Sequence, residues 1–104
     1  MKDGFLKIAC VTPPLRVADC AYNAEQIIAH AREAAAAGAK LAAFPELCLT
    51  GYTCGDLFLQ EPLLRGAEDG LVQILQETAD LSMLLVVGLP YVCGGALYNC
   101  AAVC

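Results

Sequence analysis

The run Leu41-Ala42-Ala43-Phe44, closed by Pro45 and followed at once by Glu46, most narrows what this chain can fold into. Four uncharged residues shortly after a glycine read as a strand buried on both faces. Pro45 has no amide hydrogen to continue a central ladder, so the strand is expected to stop there. Glu46 is then a carboxylate among apolar neighbours at the strand's carboxyl end. In open α/β sheets, that edge is where ligands bind.

The segments around this run fix its setting. Phe5–Val11 reads as a first strand, with Ile8, Cys10 and Val11 apolar and Pro13-Pro14 closing it. Asp19 is a plausible helix cap, with Asn23 a second candidate one turn later. From Tyr22 to Ala37 the positions Ala24, Ile27, Ile28, Ala31, Ala34 and Ala35 recur at helical spacing. Gly38 suits the left-handed residue after a helix end. Strand, helix and the strand Lys40–Phe44 make a βαβ unit, with parallel strands and a right-handed crossover. His30 falls near the polar side of the helix and is read as a surface histidine.

Further on, Pro62–Arg65 reads as a short helical turn and Ala67–Asp80 as an amphipathic helix carrying Leu71, Ile74, Leu75 and Thr78 on one face. Leu81–Cys104 contains no charged residue, which raises a membrane span as one reading. Gly88-Leu89-Pro90 and Gly94-Gly95 punctuate it, and Ser82 and Asn99 would need partners in lipid. Met83–Gly88 and Leu97–Val103 therefore read as two strands joined through a glycine turn.

Composition excludes several functions. A chain of 104 residues suits one small domain, and 59% hydrophobic with 16% charged residues is too apolar for disorder. A net charge of −5, with the basic residues scattered, argues against nucleic-acid binding. The cysteines number seven, an odd count, and no secretory signal precedes them. The thiols are read as reduced and the location as cytoplasmic. With one histidine and no CxxC pair, no metal site is expected.

Phe44-Pro45-Glu46-Leu47, followed by Thr50-Gly51-Tyr52, resembles the first signature of the nitrilase-like carbon–nitrogen hydrolases. The continuation Tyr52-Thr53-Cys54-Gly55-Asp56-Leu57-Phe58 is similar to the amino-terminal glutaminase domains of glutamine-dependent NAD synthetases. Ala96-Leu97-Tyr98-Asn99 also resembles the family's usual start of a strand. The resemblance implies an α/β fold, the amino-terminal half of a four-layer α-β-β-α sandwich with helices on one side of a mixed sheet. It also implies a Glu-Lys-Cys triad that hydrolyses glutamine, with Glu46 as the catalytic general base in a sheltered pocket and Tyr52 beside it as a substrate-binding residue. Asp56 is expected to anchor the loop.

The implied lysine and nucleophilic cysteine belong to motifs that residues 1–104 do not contain. Cys54 matches a loop position, and Lys40 lies at the wrong end of its strand. The resemblance thus implies a partial glutaminase domain, inactive alone and prone to self-association through exposed apolar surface. Its expected partners are glutamine, a carboxyl-terminal synthetase domain using ATP and magnesium, and further copies of the complete protein in a homo-oligomer. No nucleic acid or membrane is expected. Two other readings stay open: an amidase or nitrilase acting on another amide, and a flavodoxin-like binding module without catalysis.

Overall fold

The computed structural model describes residues 6–51 and 60–104. In chain order the elements are β1 (Ile8–Cys10), α1 (Cys20–Ala36), β2 (Leu41–Ala43), α2 (Glu61–Glu77), β3 (Leu84–Cys93) and β4 (Ala96–Val103). The strands form one sheet in the order β1-β2-β3-β4. β1, β2 and β3 run parallel, and β4 returns antiparallel to β3. Successive crossovers of one hand, stepping in one direction, place both helices on the same face of the sheet. α1 and α2 pack against each other there.

The first helix follows its sequence signals. Asp19 accepts a hydrogen bond from the Tyr22 amide at 3.1 Å, so the helix begins two residues before Tyr22. Asn23, the other cap candidate, is buried inside the helix and does different work, described below. At the far end Gly38 takes φ +92°, with Ala39 N–H bonded to Ala34 O and Gly38 N–H to Ala35 O. That pair of bonds is a Schellman motif, which satisfies carbonyls the helix end would otherwise strand.

The second helix corrects the sequence reading. It is continuous from Glu61 to Glu77, where a turn and a separate helix ending at Asp80 were expected. Pro62 sits in its first turn, where a missing amide costs nothing. Gly66 and Gly70, poor helix formers, face α1. A Cβ on Gly70 would lie 2.9 Å from Leu49 Cδ2 and 3.5 Å from Ala24 Cβ. Close helix packing thus accounts for two poor helix formers inside one continuous helix. Thr78 caps the end, its hydroxyl donating to Ile74 O at 2.6 Å.

Strand β3 also exceeds its expected length, running through Gly88-Leu89-Pro90 to Cys93. Hydrogen-bond parity explains how Pro90 is tolerated. Leu85 and Cys104 exchange both backbone bonds, so odd-numbered β3 residues turn their backbone groups toward β4. Even-numbered ones turn toward β2: Leu84 N–H bonds Lys40 O, and Val86 O accepts from Phe44 N–H. β2 has ended before it would reach Pro90, so no ladder bond is lost there. The hairpin turns at Gly94-Gly95, both with positive φ, as the glycine turn implied.

The core lies between the sheet and the helices: Ile27, Ile74, Ala42, Leu85, Val87 and Leu89 are buried. Among the described residues, no element covers the opposite face. Ile8, Leu41 and Leu84 stand in one register row, and Ile8 and Leu84 are 55% and 51% exposed. The expectation that β2 is buried on both faces is therefore corrected. Ala42 points into the core, while Leu41 and Ala43 remain half-exposed because both helices occupy the other side. Among the described residues, no helix is long and apolar enough to cross a membrane.

Candidate active site

Glu46 follows the carboxyl end of β2, in the middle of the parallel strands. The turn that carries it is tightly held. Leu47 adopts left-handed φ +51°, a conformation that costs a β-carbon residue on the order of 1 kcal/mol. The turn closes through Cys48 N–H to Pro45 O at 3.2 Å and Gly51 N–H to Leu47 O at 2.8 Å. Leu49 N–H reaches across to Gly88 O at 3.2 Å, which ties the turn to β3.

Gly88 makes this approach possible. A Cβ at that position would lie 2.4 Å from Leu47 N, 2.8 Å from Pro45 O and 3.1 Å from Glu46 C. Any side chain would push the Glu46 turn off the strand. Behind the turn, Asn23 receives Arg16 N–H on Oδ1 at 2.7 Å and donates to Arg16 O and Leu49 O at 2.8 and 2.9 Å. Its buried amide joins the segment before α1 to the segment after Glu46.

The Glu46 side chain lies on the helix-free face of the sheet. It lines a cleft of about 320 Å3 together with Gly88, Val86, Asn99 and Ala101. Asn99 Nδ2 donates to Glu46 Oε1 at 2.9 Å. A second cleft, of about 260 Å3, lies between Leu47, Pro90 and Tyr98 and shares Asn99 as a wall. Glu46 itself is exposed, where the sequence suggested a sheltered pocket. The cause is its side of the sheet, which no other described element covers.

Apart from Cys100, which also lines the Glu46 cleft, the remaining described chemistry-bearing residues lie elsewhere. Lys7 and Lys40 precede β1 and β2, at the amino-terminal rim, with the Lys7 ammonium bonded to Ala37 O at 2.6 Å. Among the described residues, no ion pair reaches Glu46. Cys48, two residues on, is fully buried and donates its thiol to Gly88 O at 3.6 Å. Burial pushes its pKa up to about 11, so at neutral pH it is a thiol and no nucleophile. Cys100 packs against the core. His30 is half-buried on α1, its Nδ1 2.8 Å from Gln26 O, away from this face. Tyr52, Cys54 and Asp56 lie outside the described residues.

Sequence reasoning located Glu46 but not the residues that support it. Asn99 stands in the sequence as the last residue of the Ala96–Asn99 strand-start resemblance and as an amide needing a partner within an uncharged stretch, and neither ties it to Glu46. That oddity was the available signal, but the hairpin register was needed to name the partner. Nothing in the sequence marked Leu47 as left-handed, and Gly88 read as punctuation.

Residues 7–104 match the carbon-nitrogen hydrolase family, and the chain belongs to it. The sheet with its two helices corresponds to the amino-terminal half of that family's sandwich. Among curated relatives, the glutamine-dependent NAD(+) synthetase of Mycobacterium tuberculosis strain H37Rv is 42% identical over 100 residues, covering 96% of this chain and 15% of the relative. The enzyme of the same description from Arabidopsis thaliana is 34% identical over 99 residues, 95% of this chain and 14% of that one. The crystal structure of a glutamine-dependent NAD(+) synthetase from Cytophaga hutchinsonii superposes with a TM-score of 0.86 at 28% identity, covering 94% of this chain and 17% of that one. An amidase from Nesterenkonia sp. shares the fold, with a TM-score of 0.76 at 24% identity over 99% of this chain and 39% of its own. The chain thus spans about 15% of the length of the curated relatives it matches.

Proposed function

We propose that residues 1–104 form part of a glutaminase domain in which Glu46 is the general base, and that the complete protein uses the released ammonia to make NAD. The observation that carries this reading is a carboxylate at the carboxyl end of a central parallel strand, facing an open cleft and oriented by an amide, in a carbon–nitrogen hydrolase similar to NAD synthetases.

The chemistry needs a nucleophile, a proton carrier and a fixed positive charge. Glu46 fits the second role. It takes the proton of a cysteine thiol as the thiolate attacks the glutamine amide carbon, then delivers that proton to the departing nitrogen as ammonia leaves. A glutamyl thioester remains. Water, giving a proton to the same carboxylate, hydrolyses it to glutamate and regenerates the thiol. The cysteine, and a lysine to stabilise the oxyanion, would come from further chain packed on the bare face. Tyr52 would complete the pocket as a substrate contact.

ATP and magnesium would act in a separate synthetase domain, converting nicotinic acid adenine dinucleotide to NAD. Among the described residues, no cluster of three histidine, cysteine or carboxylate side chains is placed to hold an ion. The complete protein would be cytoplasmic and homo-oligomeric. Residues 1–104 alone would release no ammonia from glutamine.

The test is a split in the complete protein. Glu46→Gln is expected to eliminate NAD formation driven by glutamine and to leave formation driven by ammonia intact. Hydrolysis of simple aliphatic amides in preference to glutamine would point instead to an amidase outside NAD synthesis.

A further inference from the structure

We propose that Asn99 is a positioning residue for Glu46, which fixes one carboxylate oxygen so that the other handles every proton transfer. The inference rests on the reading of Glu46 as general base. It is carried by the geometry of the open face. β4 pairs antiparallel with β3, with Asn99 opposite Pro90, and this register brings its amide to a carboxylate 53 positions earlier in the chain.

The atoms assign the roles. An ionised carboxylate only accepts hydrogen bonds, so the Asn99 amide nitrogen is the donor, to Oε1 at 2.9 Å. Oε2 is then left for the thiol and water protons. When Oε2 carries a proton, Oε1 remains a carbonyl oxygen and still accepts from Asn99. The bond therefore persists through both halves of the reaction. An amide does not titrate in this range, so Asn99 orients the base without competing for its proton.

The backbone of Glu46 is already fixed by Leu47 and Gly88, yet its side chain extends over an open cleft. A free glutamate would sample several rotamers. An anchor at one oxygen removes that freedom before substrate arrives.

The experiment uses the complete enzyme carrying this segment. Asn99→Leu is expected to lower kcat for glutamine roughly tenfold to a hundredfold, with KM nearly unchanged and ammonia-driven synthesis retained. In a Glu46→Gln background, Asn99→Leu should cause no further loss, because the anchor then has nothing to orient. Asn99→Asp, nearly the same shape, places a second carboxylate beside the first. The acid limb of the kcat/KM profile should then move to higher pH.

Wild-type kcat in Asn99→Leu would overturn the proposal. If Asn99→Leu fails to fold, the pH profile of Asn99→Asp decides, and an unmoved acid limb would also overturn it. Glutamine turnover surviving in Glu46→Gln would instead sink the reading of Glu46 itself. Loss in Glu46→Gln beside normal turnover in Asn99→Leu sinks only the inference about Asn99.

Discussion

The two faces of this sheet are built from similar residues and put to different uses. On the helix side, Leu85, Val87 and Leu89 are 2%, 0% and 2% exposed, closed over by α1 and α2. On the other side Leu84 and Val103 are 51% and 68% exposed, and the only polar pair spanning β2's end and β4 is Glu46 with Asn99, among the described residues. A single strand, β3, supplies both faces by alternation. One face therefore carries the fold's stability. The other carries the Glu46–Asn99 pair, and no described element covers it.

The sharpest way to break this comparison is to truncate neighbours on β3. Leu85→Ala should cost about 2–5 kcal/mol through lost burial and a cavity, while Leu84→Ala should cost under about 1 kcal/mol in residues 1–104. Hydrogen exchange of the α1 and β3 amides would read both. Equal losses would mean that the bare face is covered by contacts absent from this account. In the complete protein the gap should narrow, since Leu84 would then lie between two sheets.

Gly88→Ala tests the point where the two faces meet. The added methyl would overlap the backbone of Pro45 and Leu47, and should cost about 1–3 kcal/mol or more. Its distinguishing mark is functional: glutamine turnover in the complete protein should fall by more than ammonia-driven synthesis does. Equal loss of both would make Gly88 a folding residue only.

The smallest effect concerns the helix side. Arg32 donates to Asp80 at 3.0 Å and to the Glu77 carbonyl, joining α1 to the end of α2. The hydrogen bond from Arg32, helped by a backbone amide and in smaller part by the Arg32 charge, holds the Asp80 carboxyl below the usual carboxylate range. A lowered folded-state value means that the contribution is complete above the ordinary range and disappears as pH falls through the folded value. The Tm gap between the natural chain and Asp80→Asn should therefore be visible at neutral pH and close in strong acid. Because both side chains are exposed, the gap should be small and shrink further with salt.

Sequence reading recovered what local chemistry decides. Asp19 and Gly38 bracketed α1, and Pro45 ended β2 and left Glu46 at the carboxyl edge of the parallel strands. It failed where tertiary contacts override local preference. Pro62–Arg65 and Ala67–Asp80 read as separate pieces with Gly66 between them, but α2 is continuous, and its Gly66 and Gly70 sit close against α1. Pro90 suggested a strand end, but β3 continues because β2 has already stopped beside it. The contact of Asn99 with Glu46 was unreadable for the same reason: it depends on hairpin register, which no short motif states. The expected shelter around Glu46 came from the family resemblance, and the described residues place the carboxylate beside one wall, formed by β3 and β4.

The central claim is that Glu46 moves the protons in amide hydrolysis, and ammonia release from glutamine by the complete protein tests it most directly. Glu46→Gln should reduce that rate by roughly a hundredfold to ten-thousandfold, while Leu84→Ala on the same face leaves it near the natural value. Retention of turnover within a few-fold of the natural rate in Glu46→Gln would contradict the account.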